Sequence, residues 1–374
     1  MGELTPLPGT PAADGYRMPG EFEAHAGTWM LWPERGDTWR DDAAPAEQAF
    51  TAVAEAIVAA EPLTVAVSAA RRARARAALP AGVTLVEMES DDAWMRDVGP
   101  TVVVDAAGDR RVVDWTFNAW GGDVHGLYPD WRADDAVAAK VAALEGMERY
   151  RAPLIQEGGG LHTDGKGTVF VTEECVLSTG RNAGLGRQTC EEMLKAYTGA
   201  EQVVWLPRGV FADETTGHVD NLLHVAGPNL ILLTWTDDPW DPQHVRSAEA
   251  LAVLERVHDL DDQPFRILKL PMPGPLHMSD REAGGVVAAP GGKPREAGDR
   301  LAGSYANFYL VEGRVLVPLL DPRTDDDACR IIADALPDRE VVGIPAREIL
   351  LGGGNIHCIT QQIPAGQTLA GKPQ

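Results

Sequence analysis

Short β-prone apolar runs alternate along the chain with turn residues and with alanine-rich stretches of helical spacing. Residues 28–32 form an apolar run, 46–60 a helical stretch, and 63–68 and 84–88 two strands. The stretch 94–105, a turn at 106–109 and the run 111–117 follow, then helical spacing and high alanine content over 134–144. The third unit is clearer: residues 160–163 lead to the turn Asp164-Gly165-Lys166-Gly167, a strand over 168–172, a helix over 188–197 and a strand over 202–206. The fourth has 218–226, the turn Gly227-Pro228-Asn229, 230–235, a helix over 247–260 and a strand over 265–270. The fifth has 306–311, the turn Glu312-Gly313, 315–319, a helix around 326–336 and a strand over 340–344. Asp-Gly and Gly-Pro-Asn between β-rich runs are hairpin signals.

The units read strand–turn–strand–helix–strand. The first lacks its opening strand, and the last is followed by an orphan strand over 355–363. Pairing these two ends closes a ring and hides an edge. The expectation is an α/β fold: a five-bladed pseudo-symmetric α/β propeller, its ring closed by the C-terminal strand pairing with the first blade. An ordinary α/β sheet with accidental spacing is the alternative. No boundary satisfies composition and length together, so residues 1–374 are expected to form a single catalytic domain. Within it, 1–18 reads as a poorly ordered, extended N-terminal lead-in and the Gly/Pro-rich 271–300 as a long loop over a site mouth.

Charge narrows the partners. With 33 basic against 56 acidic residues the net charge is −23, so nucleic acid is not expected, because counterion release rewards basic surfaces. An acidic field favours a small cationic substrate, although solubility alone also explains it. No run approaches the roughly 18 apolar residues of a membrane span. The N-terminus lacks the basic start and apolar core of a signal peptide. Cys175, Cys190, Cys329 and Cys358 are widely spaced without a CxxC, which suggests neither a disulfide scaffold nor a zinc site. A reducing cytoplasm is the expected compartment. Homo-oligomerisation is left open.

Candidate chemistry gathers at the starts of units, in Asp92-Ala93-Trp94-Met95-Arg96-Asp97, Gln156-Glu157-Gly158-Gly159-Gly160, Gly217-His218-Val219-Asp220-Asn221, Ser304-Tyr305-Ala306-Asn307 and the segment 352–358. Around an axis, equivalent starts converge on one centre. His218 and Asp220, two apart on an expected strand, would share a face and suit proton transfer; metal binding or a structural role are the alternatives. Cys358 follows three glycines that permit an unusual backbone approach, whereas a cysteine is most often a small buried hydrophobe. His357, on the opposite face of the same expected strand, is a poor base for Cys358, and His218 is the better partner. Asp97 could be held by Arg96, or with Asp220 could grip a planar guanidinium, whose five donors two carboxylates match. Glu157 could orient the histidine or cap a turn.

These blocks, with His25-Ala26-Gly27-Thr28-Trp29-Met30-Leu31-Trp32-Pro33, Asp213-Glu214-Thr215-Thr216-Gly217-His218-Val219-Asp220-Asn221 and residues 352–362, resemble the agmatine deiminases. These belong to the guanidine-modifying pentein superfamily and the porphyromonas-type peptidylarginine deiminase family. The resemblance implies Cys358 as nucleophile, His218 as general acid/base, Asp97 and Asp220 as guanidinium clamps and Glu157 as the partner of His218. Trp94 and Glu214 join as candidate substrate contacts, Glu214 for the substrate amine, with Arg181 and Arg187 as counter-candidates that could bind a carboxylate instead. It implies hydrolysis of agmatine to N-carbamoylputrescine and ammonia through an amidino-cysteine, without metal or organic cofactor, within polyamine synthesis. Arginine or peptidyl-arginine deimination and a catalytically silent pentein used for binding are the alternatives. Val98 departs from the small polar residue expected after Arg-Asp, which puts the local loop polarity in doubt.

Overall fold

The computed structural model describes residues 5–366; residues 1–4 of the expected lead-in and 367–374 of the expected domain lie outside the described residues. Strand β1 (His25–Leu31) runs parallel to β2 (Leu63–Val67), and β2 parallel to β3 (Thr84–Glu87). Strand β4 (Thr101–Val104) is antiparallel to β5 (Arg110–Thr116), which is parallel to β6 (Arg149–Ile155). The same antiparallel-then-parallel order holds for β7 (His162–Thr163), β8 (Thr168–Thr172) and β9 (Gln202–Leu206). It recurs in β10 (Leu223–Gly227), β11 (Leu230–Trp235) and β12 (Arg266–Pro271). A two-stranded pair, β13 (Leu276–His277) and β14 (Arg300–Leu301), intervenes. The order returns in β15 (Tyr309–Val311), β16 (Arg314–Leu319) and β17 (Glu340–Pro345).

The orphan C-terminal strand, β18 (Thr360–Pro364), lies antiparallel against β1, with Thr28 opposite Gln362 and Met30 opposite Thr360. This gives the first sheet the strand order of the others, with β3 added at its edge. Each parallel pair needs a crossover, and a helix supplies it. In the first, Ala44–Val58, the residues Phe50, Val53, Ala54 and Ile57 recur at three- and four-residue spacing and are buried. Helices Val137–Glu145, Arg187–Thr198, Pro242–Leu254 and Asp325–Ala335 make the corresponding crossovers. The fold is mixed α/β. Among the described residues no helix is long and apolar enough to cross a membrane.

Four expectations need correction. Strand β6 follows the 134–144 helical stretch and was not legible, because Arg149 and Arg151 break its apolar run; in the structure both arginines bond to Asp114. The fourth helix starts earlier and ends earlier than 247–260, because Asp241 caps Gln243 N at 2.8 Å with Pro242 in the first turn. Residues 5–18 are not loose: Tyr16 is buried, and Arg17 bridges Val104. Residues 271–300 are more than a loop. They hold β13, the helical turn Asp280–Ala283 with a Ser279–Glu282 capping box, and the start of β14.

Because β18 completes the β1 edge and buries Ile363, Ile363→Ala should destabilise the protein by about 2–5 kcal/mol in urea titration. Deleting residues from Leu351 onward should abolish the cooperative melt followed by circular dichroism, whereas Cys358→Ser should keep it.

Candidate active site

The site segments begin with tight turns where strands were expected. Met95–Val98 and Val219–Leu222 are single helical turns, Gly158–Gly160 is a 3₁₀ turn, and residues 356–359 form a turn before β18. Local side chains outcompete the ladder. Asp213 accepts from the backbone N–H groups of Thr215 at 2.9 Å and His218 at 3.0 Å, and from Asn221 Nδ2 at 3.2 Å. At Cys358, Asn355 Oδ1 accepts from Ile356 N at 3.0 Å, and Thr360 Oγ1 donates to the Ile356 carbonyl at 2.9 Å. The shared-strand-face argument for His218 and Asp220 therefore fails, since residues two apart on a helical turn do not face each other. Opposite strand faces do not separate His357 from Cys358 either.

Gly159 brings the groups together instead. A Cβ there would lie 2.7 Å from His218 Nδ1, 2.8 Å from Asp97 Oδ1 and 3.0 Å from Asp220 Oδ2. All three side chains thus converge on one hydrogen atom's space. The Cys358 thiol lies 3.6 Å from Asp220 Oδ2 and 3.4 Å from Asn307 Oδ1. A Cβ on Gly354 would meet the Trp94 ring at 2.6 Å and Cys358 Sγ at 3.1 Å, so Trp94 and Cys358 flank that glycine. His218 Nε2 donates to Glu157 Oε2 at 3.3 Å, and His218 Nδ1 is 3.7 Å from Asp97 Oδ1. Asp97 is not held by Arg96. It accepts from Gly159 N at 2.9 Å and Trp120 Nε1 at 2.8 Å, while Arg96 turns to Glu21 and Gln362.

The electrostatics follow from burial. Burial pushes Asp97 up to about 6, with Asp220 and Glu157 adding repulsion that His218 only partly offsets. Burial also opposes ionisation of Asp220, but the hydrogen bond and charge of His357 more than offset it and hold Asp220 below the ordinary range. Burial would lower His218, yet the Asp97 charge and the Glu157 hydrogen bond raise it well above the usual imidazole value. The Cys358 thiol goes far up, through burial first and then the Asp220 and Asp97 charges. At neutral pH these shifts favour a neutral Cys358 thiol, a protonated His218 and ionised Asp220 and Asp97, Asp97 the closer to protonation. Asp220 Oδ1 and His218 Nδ1 are buried without a protein partner. Such a set can hold a cation with two carboxylates, present a thiol to it and supply a proton.

The profile of the Porphyromonas-type peptidyl-arginine deiminases matches residues 17–364. The chain belongs to that family. A relative from Stutzerimonas stutzeri, named agmatine deiminase, is 51% identical over 364 residues, covering 97% of this chain and 99% of its own. The solved structure described as agmatine deiminase of Enterococcus faecalis catalyzing its reaction superposes with a TM-score of 0.93 at 40% identity, covering 96% of this chain and 99% of that one. A C. jejuni agmatine deiminase structure, 22% identical with a TM-score of 0.77 over 94% of this chain and 97% of that one, shares the fold.

In this member of the family the structure gathers Cys358, His218, Asp97, Asp220, Glu157 and Trp94. Glu214 is already paired with two cations: Lys293 Nζ is 2.7 Å from its Oε2 and Arg295 Nη2 2.9 Å from its Oε1. Arg295 also donates to the carbonyls of Leu351 at 3.0 Å and Gly352 at 2.6 Å, so the 271–300 segment is pinned beside the cysteine turn. The two counter-candidates are occupied, Arg181 by Glu157 at 2.9 Å and Arg187 by Glu173. Sequence reasoning missed Arg181 as the clamp on Glu157, and Asn307, Trp120 and Gly159. It set His357 aside as a base, and both its ring nitrogens are taken: Nδ1 by Asp220 at 2.8 Å and Nε2 by Glu21 at 2.8 Å. Asn307 lay within a quoted unit start, but no spacing rule singles out a lone Asn or Trp.

A methyl group on Gly159 has nowhere to go except into His218, Asp97 and Asp220. Gly159→Ala should therefore lower kcat/KM on a guanidine substrate by about a hundredfold or more, with stability down by about 1–3 kcal/mol and a melt that stays cooperative.

Proposed function

We propose that the chain is an agmatine deiminase that hydrolyses the guanidinium group of agmatine to N-carbamoylputrescine and ammonia. The observation that carries this reading is the convergence of Asp97, Asp220 and His218 around Gly159, beside Cys358, in a chain about half identical to a named agmatine deiminase.

Asp97 and Asp220 accept hydrogen bonds from the guanidinium and place its central carbon against Sγ. The cation offsets the two charges that hold the thiol protonated, so substrate binding itself favours the thiolate. The thiol proton passes to solvent, and Sγ regains a proton when the ureido product leaves, so the cycle closes on the thiol. Sγ attacks the central carbon, and His218, protonated at rest, gives its proton to the departing nitrogen, which leaves as ammonia. The S-alkylthiouronium on Cys358 then takes water, deprotonated by His218; the C–S bond breaks and the ureido product forms. Glu157, fixed by Arg181, holds the His218 ring and steadies its charge.

Trp94 walls the cysteine side of the site. Glu214 is the acid for the substrate amine, where the agmatine ammonium would take the place of Lys293 Nζ. A second reading, arginine as substrate, draws on Lys293 and Arg295, two cations that a carboxylate could meet; both are already paired with Glu214. We read the five sheets as blades of one propeller closed by the β18–β1 pair, forming one catalytic domain. Four free thiols favour a reducing compartment, the cytoplasm.

Incubation with agmatine, arginine and a blocked arginyl peptide, reading ammonia and ureido product, should give turnover with agmatine. Turnover of arginine alone would overturn the substrate. Cys358→Ser should remove activity and the mass adduct. Glu214→Gln should raise the KM for agmatine, and an unchanged KM would remove its amine role. Asp97 must be ionised to clamp, so kcat/KM should fall as pH drops through about 6. The acid limb of kcat should lie lower, because bound cation stabilises the carboxylate. At high pH kcat should fall only above the ordinary imidazole range, as His218 loses its proton.

A further inference from the structure

Beside Asp220, one imidazole from β7, one from β10 and one from the turn before β18 meet in the core. His162, His224 and His357 are all buried, with ring centroids 4.6 Å (His162–His224), 5.2 Å (His162–His357) and 5.4 Å (His224–His357) apart. One ring nitrogen from each lies within 4.8 Å of the others. Nε2 of His162 and Nε2 of His224 have no hydrogen-bond partner, although His162 is 5% and His224 0% exposed. An unpartnered buried ring nitrogen is costly, and two on neighbouring rings call for an explanation.

The outer nitrogens supply it. His224 Nδ1 donates to the Ala306 carbonyl at 3.1 Å, and His357 Nδ1 to the Asp220 carboxylate at 2.8 Å. Metal-ligating histidines are oriented in this way, one nitrogen fixed by a carbonyl or carboxylate and the other directed inward. Glu21 completes the set, its Oε2 2.8 Å from His357 Nε2 and its Oε1 3.5 Å from His224 Nε2. Tetrahedral zinc with bonds of about 2.0–2.1 Å needs ligand atoms roughly 3.3 Å apart; the two Glu21 contacts come from different oxygens, so one oxygen would bind the ion and the ring nitrogens, now within 4.8 Å of one another, would draw together on it.

We propose that His162, His224, His357 and Glu21 form a structural site for a divalent transition-metal cation of the zinc class. Binding forms three M–N bonds and one M–O bond and releases the proton shared between His357 and Glu21. Arg96 Nη2, 3.1 Å from Glu21 Oε2, opposes the cation; the Asp220 and Glu21 charges offset it. Such an ion would do with coordinate bonds what a proton otherwise does, holding His357 against Asp220. The site lies outside the reacting groups and takes no part in the chemical steps.

Full-length protein expressed with zinc and passed over a chelating resin should retain ~1 zinc per chain by mass spectrometry. His224→Phe, which keeps a ring on Phe308 (centroids 3.8 Å apart), should lower retention by about tenfold or more. Cys358→Ser and Cys175→Ser should leave it unchanged. Cobalt substitution of the parent protein should give tetrahedral d–d bands without a thiolate charge-transfer band, a readout that needs no variant. Retention below about a tenth of an ion per chain, retention that survives His224→Phe, or a thiolate band would each overturn the site.

Discussion

Everything at the centre depends on keeping two buried carboxylates, Asp97 and Asp220, charged. Desolvating a carboxylate costs several kcal/mol unless hydrogen bonds and opposite charge offset it. The protein treats the two acids differently. Asp220 receives the His357 imidazole at 2.8 Å, and Asp97 only neutral donors, from Gly159 and Trp120. One acid is therefore held ionised, while the other sits near the point of protonation. In the proposed mechanism their charge is what a guanidinium recognises, and the same charges push the Cys358 thiol up.

The backbone explains how such a centre can exist. Each contributing segment turns sharply just before its inner strand, so that side chains leave the sheet edge and point inward. Glycine is required where two of these turns touch: Gly159 against the clamps and His218, Gly354 against Trp94 and Cys358. The cysteine turn is pinned from both sides, by Arg96 N donating to the Cys358 carbonyl at 3.0 Å and by Arg295 on the carbonyls just before it. Strand β18 then locks the turn to β1. Closing the first sheet and placing the thiol are one structural act.

The repeating units were legible because their inner strands are continuous apolar runs and their turns carry Gly, Asp and Asn. Strands β8, β9 and β11 and the orphan C-terminal strand could be placed from pattern alone. Strand β6 could not, since its arginines are neutralised by Asp114 only after folding. The site residues were legible as types at unit starts, but their geometry was not. Val219 and the segment before β18 read as β-prone, and capping by Asp213 and Asn355 overrode that preference. The loop arginine, Arg295, and the buried His162 and His224 gave no signal, because their partners lie far away in sequence.

The central claim is that Cys358 rests as a thiol held protonated by the clamp carboxylates. The pH dependence of Cys358 alkylation in the free protein, followed on the peptide that carries it, tests this most directly. The account predicts an apparent pKa above that of an ordinary thiol, and a downward shift in Asp97→Asn, where one negative charge is gone. An apparent pKa below the ordinary thiol value, unmoved by Asp97→Asn, would mean a preformed thiolate and would contradict it.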